Sequence, residues 1–300
     1  MANATAAHPR SRPDGPTSNG YTLSGAPHRL GRLGPVPPGE RGDLAALRAR
    51  FAREGHLYLP GFFRPEVVEA FRRHYFEATA HTGLVRPGSD PGDGIAAPDR
   101  GGFDHAAFRT ALFRGIVPGP AYEAMCRRPE LVAFYRWFLG APEVHLHRRK
   151  IIRHALPGES GIGTATQAHY DLVYLREGTD RVLSSWIPLG DCPVARGGLV
   201  YLERSHHRVR AEETAGRLRR PAASLTADLP SLAEEYDARW LVADYAAGDM
   251  VVHSPYLVHA SLDNRDPDGV IRLSTDIRYQ SAADPVDGRW QNHWHLDDGL

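Results

Sequence analysis

Two histidines and one aspartate have the residue types and spacing of a metal centre. His169 and Asp171 lie two positions apart, with Tyr170 between them, so on a pleated strand an imidazole and a carboxylate leave the same face. His259 lies far along the chain, on another predicted strand. Two histidines and one carboxylate form the facial triad of Fe(II) oxygenases and leave coordination positions open. The three residues therefore predict an Fe(II) site.

The last predicted strand, residues 271–279, carries polar side chains at every second position: Arg272, Ser274, Asp276 and Arg278. A guanidinium can donate two parallel hydrogen bonds to a carboxylate, and a serine two residues on can add a third. The face that begins with Arg272 and Ser274 is therefore expected to bind a dicarboxylate. Arg278 is the rival for this role, and a surface salt bridge is the alternative interpretation of Arg272.

Other histidines and glycines have simpler explanations. His253 is expected to be a core or pocket residue, although it stands only six positions before His259. Two further pairs have metal-like spacing but lack accompanying ligands: His145 with His147, and His293 with His295. A partial dinucleotide pattern at Gly158, Gly161 and Gly163 is followed by a predicted strand and not by the helix that binds phosphates. We therefore exclude a Rossmann fold.

The elements that must position these residues are mostly short strands. Apolar runs separated by turn residues predict strands at 144–154, 167–175, 182–189, 198–202, 240–245, 250–253, 257–262 and 271–279. Many short strands at modest spacing are typical of a closed or sandwiched antiparallel fold. Residues 208–236 interrupt them with a helical or irregular insertion.

The first half of the chain differs in composition and is predicted to be mostly helix and loop. Residues 1–42, rich in Pro, Gly, Ser and Arg, predict a disordered leader, and residues 43–300 one folded domain. Asp43 is a plausible N-cap for a helix that Gly55 ends, followed by a strand at 56–60 and a helix at 64–82. Further helices are expected near 122–125 and 130–139. Residues 83–103 are expected to form a long loop that gates the site.

Composition restricts the partners. Lys+Arg and Asp+Glu both number 36, so no basic surface indicates a nucleic acid or an anionic membrane, and a small molecule is the expected partner. No signal peptide or membrane-spanning run of about 20 apolar residues is present in the sequence. Cys126 and Cys192 are too few for a disulfide framework. The sequence predicts a cytoplasmic protein.

Several motifs follow one another in order: Phe51 to Gly55, Leu59-Pro60-Gly61-Phe62-Phe63, His169-Tyr170-Asp171, Trp186-Ile187-Pro188-Leu189, Gly197-Gly198-Leu199, Arg204-Ser205-His206, and Gly248-Asp249 leading to His259, Asn264 and Arg272. This ordered set resembles the phytanoyl-CoA dioxygenase family of Fe(II)/2-oxoglutarate oxygenases. The resemblance covers roughly residues 44–280. It implies a mainly β fold with some helix: a double-stranded β-helix, or cupin-like jelly-roll, core with an N-terminal helical layer.

The resemblance also implies roles for individual residues. Iron would be held by His169, Asp171 and His259, with 2-oxoglutarate and O2 as cosubstrates. Arg272 would grip the 2-oxoglutarate carboxylate. Additional cosubstrate contacts would come from Ser274, from Trp186, which is otherwise a core residue, and from the first barrel strand, where Lys150 and Ile152 are candidates.

The reaction implied is oxidation of a C–H bond in a small molecule, a secondary metabolite or its precursor. Asp171 stands where related halogenases have Gly or Ala, which favours hydroxylation over chlorination. Two alternatives stay open at this point: an iron oxygenase that does not use 2-oxoglutarate, and a jelly-roll protein that binds a ligand without catalysis.

Overall fold

The computed structural model describes residues 15–99, 101–217 and 223–295. Its α-helices are α1 (Leu44–Glu54), α2 (Pro65–Thr79), α3 (His105–Thr110), α4 (Pro120–Cys126), α5 (Pro129–Leu139), α6 (Ser205–Thr214) and α7 (Leu229–Glu235). A π-helical turn, Ala111–Ile116, continues α3. None of the helices in the described ranges is both long and apolar enough to span a bilayer.

The strands form two larger sheets and one small hairpin. They are β1 (Thr17–Ser18), β2 (Tyr21–Thr22), β3 (Leu30–Arg32), β4 (His56–Leu59), β5 (Val144–Leu146), β6 (Ile151–Ala155), β7 (Leu183–Pro188), β8 (Leu199–Leu202), β9 (Trp240–Val242), β10 (Met250–His253), β11 (His259–Ser261) and β12 (Arg272–Ser281). One sheet has the order β4-β10-β7-β12-β5, with β6 also paired to β12, and the other has the order β11-β8-β9-β3.

Strand β12 is the centre of the larger sheet. It pairs with β7 along one edge and with β6 and β5 along the other, all antiparallel. Because side chains alternate across a strand, Leu273 and Ile277 face the core under the helical layer, whereas Arg272, Asp276 and Arg278 line cavities inside the barrel. The sequence predicted this division of the strand into two faces.

The helical layer covers the outer face of the larger sheet. As predicted, Asp43 begins α1: its carboxylate accepts hydrogen bonds from the backbone N–H groups of Ala45 and Ala46, which would otherwise lack partners. Gly55 ends α1 with φ of 77°, a left-handed conformation that glycine adopts without strain. Leu47 of α1 and Phe71 of α2 are buried in the same core.

A second core lies between the two sheets. Trp186 and Val251 of the larger sheet pack there with Tyr201 of the smaller one, and Leu199 belongs to the same cluster. Leu199 also lines the cavity that contains His169 and His259. The predicted metal ligands therefore lie in the space between the sheets.

The expectation of a disordered leader over residues 1–42 is wrong for residues 15–42; residues 1–14 lie outside the described residues. Strand β3 runs parallel to β9 at the edge of the smaller sheet, and Leu23, Leu33 and Val36 are buried. These apolar residues are too widely spaced to produce a helical or strand period. Each of them instead packs against strands from distant parts of the sequence, which composition alone does not reveal.

Residues 83–103 also differ from expectation. The chain there folds back on itself and onto the entry to β12, through isolated bridges of Val85 with Ala96 and Ile95 with Val270. Leu84 and Ala97 are buried. None of the described residues of this segment lines the cavity with His169. The segment therefore packs beside α2 and is not a lid over that cavity.

The predicted strand at 167–175 is present only in part. Ala168 and His169 form isolated bridges, but from Asp171 to Val173 the chain turns into a 3-10 helix. The helical segment that begins at His105 was not predicted, although Phe108, Leu112 and Ile116 stand four residues apart and are buried. The insertion at 208–236 contains the end of α6 and all of α7; its residues 218–222 lie outside the described part of the chain.

Candidate metal centre

Backbone pairing brings the two predicted histidine ligands together. His169 and His259 form an antiparallel bridge in which each backbone N–H donates to the other's carbonyl, at 3.0 and 2.9 Å. His259 opens β11, which β8 holds in the smaller sheet. The two imidazole rings lie with their centroids 4.3 Å apart. Residues widely separated in sequence thus present two imidazoles on one wall of the cavity.

The turn after Tyr170 carries the Asp171 carboxylate to the same point. Its Oδ1 lies 3.9 Å from Nε2 of His169 and 4.0 Å from Nε2 of His259. The three ligand atoms all lie within 4.8 Å of one another. Asp171 and His259 are buried, and the His169 side chain is 13% exposed. These separations suit ligands arranged around a single divalent ion on one side of it.

The hydrogen bonds of both imidazoles leave Nε2 available as a ligand atom. Nδ1–H of His169 donates to the carbonyl of Gln167 at 2.9 Å, and Nδ1–H of His259 donates to the carbonyl of Leu257 at 3.0 Å. This assignment of tautomers follows from the acceptors, and it directs each Nε2 lone pair toward Asp171. Burial, and next the neighbouring His259, lower the pKa of His169 to about 3. A neutral imidazole is what a metal ion requires.

The Asp171 carboxylate is held from two sides. Ser184 on β7 donates to Oδ2, and Arg278 on β12 donates from Nη2 to Oδ1 at 2.9 Å. Nε2 of His253 lies 3.5 Å from Oδ2. Burial opposes ionisation of Asp171, but Arg278 and the two neighbouring histidines outweigh it and hold the pKa of the carboxyl well below its usual range. An ionised carboxylate and two imidazoles are a donor set that fits a divalent metal ion.

Arg272 lines a cavity next to the triad, and Ser274 is hydrogen-bonded to its guanidinium. Arg272 is buried; its Nε donates to the carbonyl of Gly197 at 3.1 Å, and its Nη1 donates to Ser274 Oγ at 2.7 Å. Arg272 lines a cavity that shares Arg153, Ala165, Thr166 and Trp294 with the cavity of the metal ligands. Arg278, the rival for the carboxylate-binding role, donates from Nη2 to Asp171, while its buried Nε and Nη1 have no hydrogen-bond partner among the described residues.

Two predicted cosubstrate contacts lie elsewhere. Lys150 is completely buried, but it is ion-paired with Glu123 of α4, and it lines neither of the two connected cavities in the described residues. Trp186 packs edge-on against Tyr245 with ring centroids 4.7 Å apart. The prediction assigned Lys150 to the cavity side of the sheet, but its side chain lies on the opposite side, against α4. Trp186 is part of the core between the sheets.

Ser184 and Arg153 are site residues that the sequence analysis missed. Arg153 on β6 stands directly opposite Ser274 of β12, so both side chains leave the same face of the sheet. Once the register of β6 against β12 is known, the position of Arg153 opposite the polar face of β12 identifies it as a residue of the site. No sequence signal distinguishes Ser184 from its neighbour Ser185, because both lie in an apolar strand.

The cavity beside the triad has a volume of about 280 Å³. Its wall combines aromatic and charged side chains, including Arg149, Arg153, Tyr174, Asp276, Arg278, Trp290 and Trp294. Burial raises the pKa of Asp276, although Arg278 opposes that shift. This volume lies close to the lower end of the usual range for small-molecule sites.

Comparison with known proteins decides the family. A sequence model of the family described as phytanoyl-CoA dioxygenase matches residues 51–272, which is more than half of the chain. The chain belongs to the phytanoyl-CoA dioxygenase family. No curated protein sequence matches it significantly.

Solved structures have the same fold as this family member. The 2-oxoglutarate-dependent carbocyclase SnoK of nogalamycin biosynthesis is 20% identical over 89% of this chain and 92% of its own, with a TM-score of 0.57. The epimerase SnoN, solved with Fe3+, α-ketoglutarate and a nogalamycin compound, is 21% identical over 81% and 85%, with a TM-score of 0.55. EctD from S. alaskensis, solved with 2-oxoglutarate and 5-hydroxyectoine, is 19% identical over 93% and 87%, with a TM-score of 0.53.

These matches confirm the predicted fold, a mainly β jelly-roll core with helices. Membership of the phytanoyl-CoA dioxygenase family, together with the cluster of His169, Asp171 and His259, also confirms an oxidoreductase that uses iron and 2-oxoglutarate. The residues present fit the metal by donor type and separation.

Proposed function

We propose that this protein is an Fe(II)- and 2-oxoglutarate-dependent dioxygenase that hydroxylates, or otherwise oxidises at a C–H bond, a small secondary metabolite or its precursor. One observation carries the proposal: two imidazoles and one carboxylate converge within 4.8 Å beside a cavity large enough for small ligands. In this proposal His169, Asp171 and His259 are the metal ligands.

Each residue of the site has a defined task in the proposed mechanism. When bound, the metal supplies the oxygen chemistry, for which protein side chains have no equivalent. His169, Asp171 and His259 would hold the metal from one side of the cavity, which would leave space for the cosubstrate. Arg272 and Ser274 bind the distal carboxylate of 2-oxoglutarate through charge-assisted hydrogen bonds, which fixes the orientation of the cosubstrate.

The cavity wall supports the selectivity of the reaction. Trp290, Trp294 and Tyr174 contribute aromatic surface next to the triad, and such walls exclude water that would otherwise compete for reactive positions. Asp171 stands where related halogenases have Gly or Ala, so this site would keep a carboxylate ligand for the metal. The proposal is therefore hydroxylation or a related C–H oxidation, and not chlorination.

Two features support a cellular compartment and a type of substrate for the enzyme. Both cysteines of the chain, Cys126 and Cys192, are free and buried, which fits a reducing compartment, so we place the enzyme in the cytoplasm. SnoK and SnoN belong to nogalamycin biosynthesis, and a related fold in such enzymes favours a secondary metabolite as the substrate.

The proposal is tested by following succinate and O2 uptake in the iron-loaded enzyme during a substrate screen. We expect succinate to form in step with O2 uptake, and Arg272→Leu to raise the 2-oxoglutarate concentration needed for half-maximal rate by at least tenfold while the iron requirement stays unchanged. Arg32→Leu, at an exposed ion pair with Asp244, is the matched control.

Three results would contradict parts of this proposal. Turnover without succinate would indicate an oxygenase that does not use 2-oxoglutarate. An unchanged 2-oxoglutarate requirement in Arg272→Leu would move the cosubstrate role to Arg278. Ligand binding with no iron-dependent turnover would indicate a binding protein.

A further inference from the structure

Both histidine pairs that the sequence analysis set aside contribute to one surface cavity. His145 of the edge strand β5 and His147 just beyond it lie two positions apart, and their ring centroids are 5.2 Å apart. His293, near the other end of the chain, lines the same cavity. We call it the histidine cavity. Its described lining residues are all different from those of the cavity that contains His169.

Buried nitrogen atoms without a hydrogen-bond partner are concentrated in the histidine cavity. Four such atoms belong to residues of its wall: His145 Nε2, His147 Nδ1, Gln291 Nε2 and His293 Nδ1. Buried polar atoms normally have a partner, because leaving one without a hydrogen bond is costly. A bound ligand would supply the partner that these atoms lack within the described part of the chain.

The tautomer of His147 follows from its neighbour Gln280. The amide Nε2 of Gln280 faces the carbonyl oxygens of Asp284 and Pro285, at 3.2 and 3.1 Å, so this atom is the hydrogen-bond donor of the amide. Oε1 of Gln280 therefore accepts from Nε2–H of His147 at 2.8 Å. Nδ1 of His147 is then left with a free lone pair. Because His147 is only 1% exposed, that lone pair is held away from bulk water.

All three imidazoles are neutral at pH 7. Burial is the main cause that lowers the pKa of His145, His147 and His293, and it brings that of His147 to about 4. Gln291 opposes the shift at His145, whereas Lys150 and Arg148 add to the shift at His293. A neutral imidazole is the form that binds a metal ion.

The charged residues of the wall do not form an alternative site. Glu123 is shared between Lys150 and Arg127, so both its charge and that of Arg127 are compensated. Arg148 is exposed, and water and salt screen its charge. The groups of the wall that have no partner are therefore the three imidazoles and the Gln291 amide.

The histidine cavity is more open than the triad. Among the described residues, only the triad brings three ligand atoms within 4.8 Å of one another. His145 and His147 leave the same side of the chain and supply two imidazoles. His293 is half-buried, so its side chain is free to rotate toward them and supply a third.

We propose that the histidine cavity binds a divalent transition-metal ion, with His145, His147 and His293 as its ligands and water at the remaining positions. Imidazole suits Zn2+, Ni2+ and Cu2+, and Fe2+ precedes Ni2+ and Cu2+ in the order of affinities, so this site differs from the iron centre in metal as well as in position. The bound ion would tie β5 to the segment that carries Trp290 and Trp294, which line the cavity beside the triad.

The test uses Zn2+ as the probe and compares two full-length proteins. The triad also offers imidazoles and a carboxylate to Zn2+, so the wild type is compared with the double variant His169→Ala, His259→Ala, which we call the triad-silent variant. Competition with a chromophoric chelator counts the Zn2+ ions bound and measures their affinity. We expect two Zn2+ ions per wild-type chain and one per triad-silent chain. Zn2+ should also raise the thermal midpoint of the triad-silent variant, because it binds the folded state.

Further substitutions in the triad-silent variant assign the ligands. His145→Ala and His293→Ala should each weaken the remaining Zn2+ site at least tenfold, and both positions are half-buried, so folding should persist. His147→Gln should have the same effect, because it keeps a donor for Gln280 but removes the imidazole lone pair. His81→Ala removes an exposed histidine outside the histidine cavity and is the matched control. It should leave the Zn2+ affinity unchanged, and circular dichroism should show the same fold in all variants.

Several outcomes would overturn this inference. They are a triad-silent variant that binds no Zn2+, an affinity that is unchanged in both His145→Ala and His147→Gln, or an equal loss of affinity in His81→Ala, which would indicate unspecific binding by surface histidines. An unchanged affinity in His293→Ala alone would remove His293 from the ligands and with it the link to Trp290 and Trp294. The triad-silent variant tests this site by itself, so the result does not depend on whether the proposed function holds.

Discussion

Asp171 is the residue on which the most interactions of the site converge. Its Oδ1 faces the two imidazoles and Arg278, while its Oδ2 accepts from Ser184 and lies near His253. A ligand carboxylate that is itself hydrogen-bonded keeps its orientation and charge before the metal arrives. The groups around Asp171 should therefore affect metal affinity without contacting the metal.

Ser184 and Ser185 are adjacent residues, and comparing their alanine variants separates an effect on metal affinity from an effect on stability. Removing the hydroxyl in Ser184→Ala should weaken Fe(II) binding by roughly 10–100-fold, because one donor to Asp171 is lost. Ser185 lies on the opposite face of β7, where its Oγ is 2.5 Å from the hydroxyl oxygen of Tyr135. Ser185→Ala should cost about 1 kcal/mol of folding free energy and leave Fe(II) affinity unchanged.

Competition with a chromophoric chelator measures Fe(II) affinity, and urea unfolding measures stability. Equal Fe(II) affinities in the two alanine variants would contradict the role given to Ser184.

Single residues also show what the sequence can and cannot predict. The metal ligands were predictable because a His-x-Asp motif, a distal histidine and the flanking motifs occur together in one order along the chain. The orientation of Lys150 was not, since one residue of phase in a strand decides whether a side chain faces the barrel or the helices. The sequence analysis placed His169 and Asp171 side by side on one face of a strand. The two residues do lie together, but Asp171 reaches the triad through a 3-10 turn.

At the scale of elements, β12 and its approach determine where the polar face lies. Asn264 donates from Nδ2 to the carbonyls of Ala155 and Val270, at 2.9 and 2.8 Å. These bonds tie the end of β6 to the segment before β12. Arg272 therefore enters β12 opposite Ala155, which sets the register that brings Arg153, Asp276 and Arg278 into the cavity.

The helices and the edge strand differ in how well the sequence predicts them. Helix α1 was predictable from Asp43 and Gly55 because its capping is local in sequence. Strand β3 was not, because it is stabilised by parallel pairing with β9, more than 200 positions away in the chain. Burial of Leu33 depends on that distant partner.

Leu33 tests whether the segment before α1 is part of the folded structure. Leu33→Ala should destabilise the protein by about 2–5 kcal/mol, the usual effect of removing a fully buried leucine side chain. The neighbouring Arg32→Ala, at an exposed ion pair with Asp244, should change stability by less than about 1 kcal/mol. Urea unfolding measures both. No loss of stability in Leu33→Ala would restore the view of this segment as a disordered leader.

At the scale of the whole molecule, two sheets and a helical layer enclose one chemically distinct region. Apolar cores lie under the helices and between the sheets, and the charged residues of β6 and β12 line the cavity near the triad and the cavity next to it. The formal charge balance of the chain is zero, so recognition depends on this local arrangement and not on a long-range field. Composition therefore predicted a small-molecule partner but not its charge.

The account depends on iron and 2-oxoglutarate binding together at the triad. Anaerobic titration of the metal-free protein with Fe(II) and then 2-oxoglutarate tests this directly, through the weak visible charge-transfer band of a cosubstrate chelated to iron. We predict that the band appears in the wild-type protein and is lost in Asp171→Ala, while circular dichroism shows the same fold in both. Wild-type protein that binds iron without developing the band, or an Asp171→Ala variant that retains it, would contradict the account.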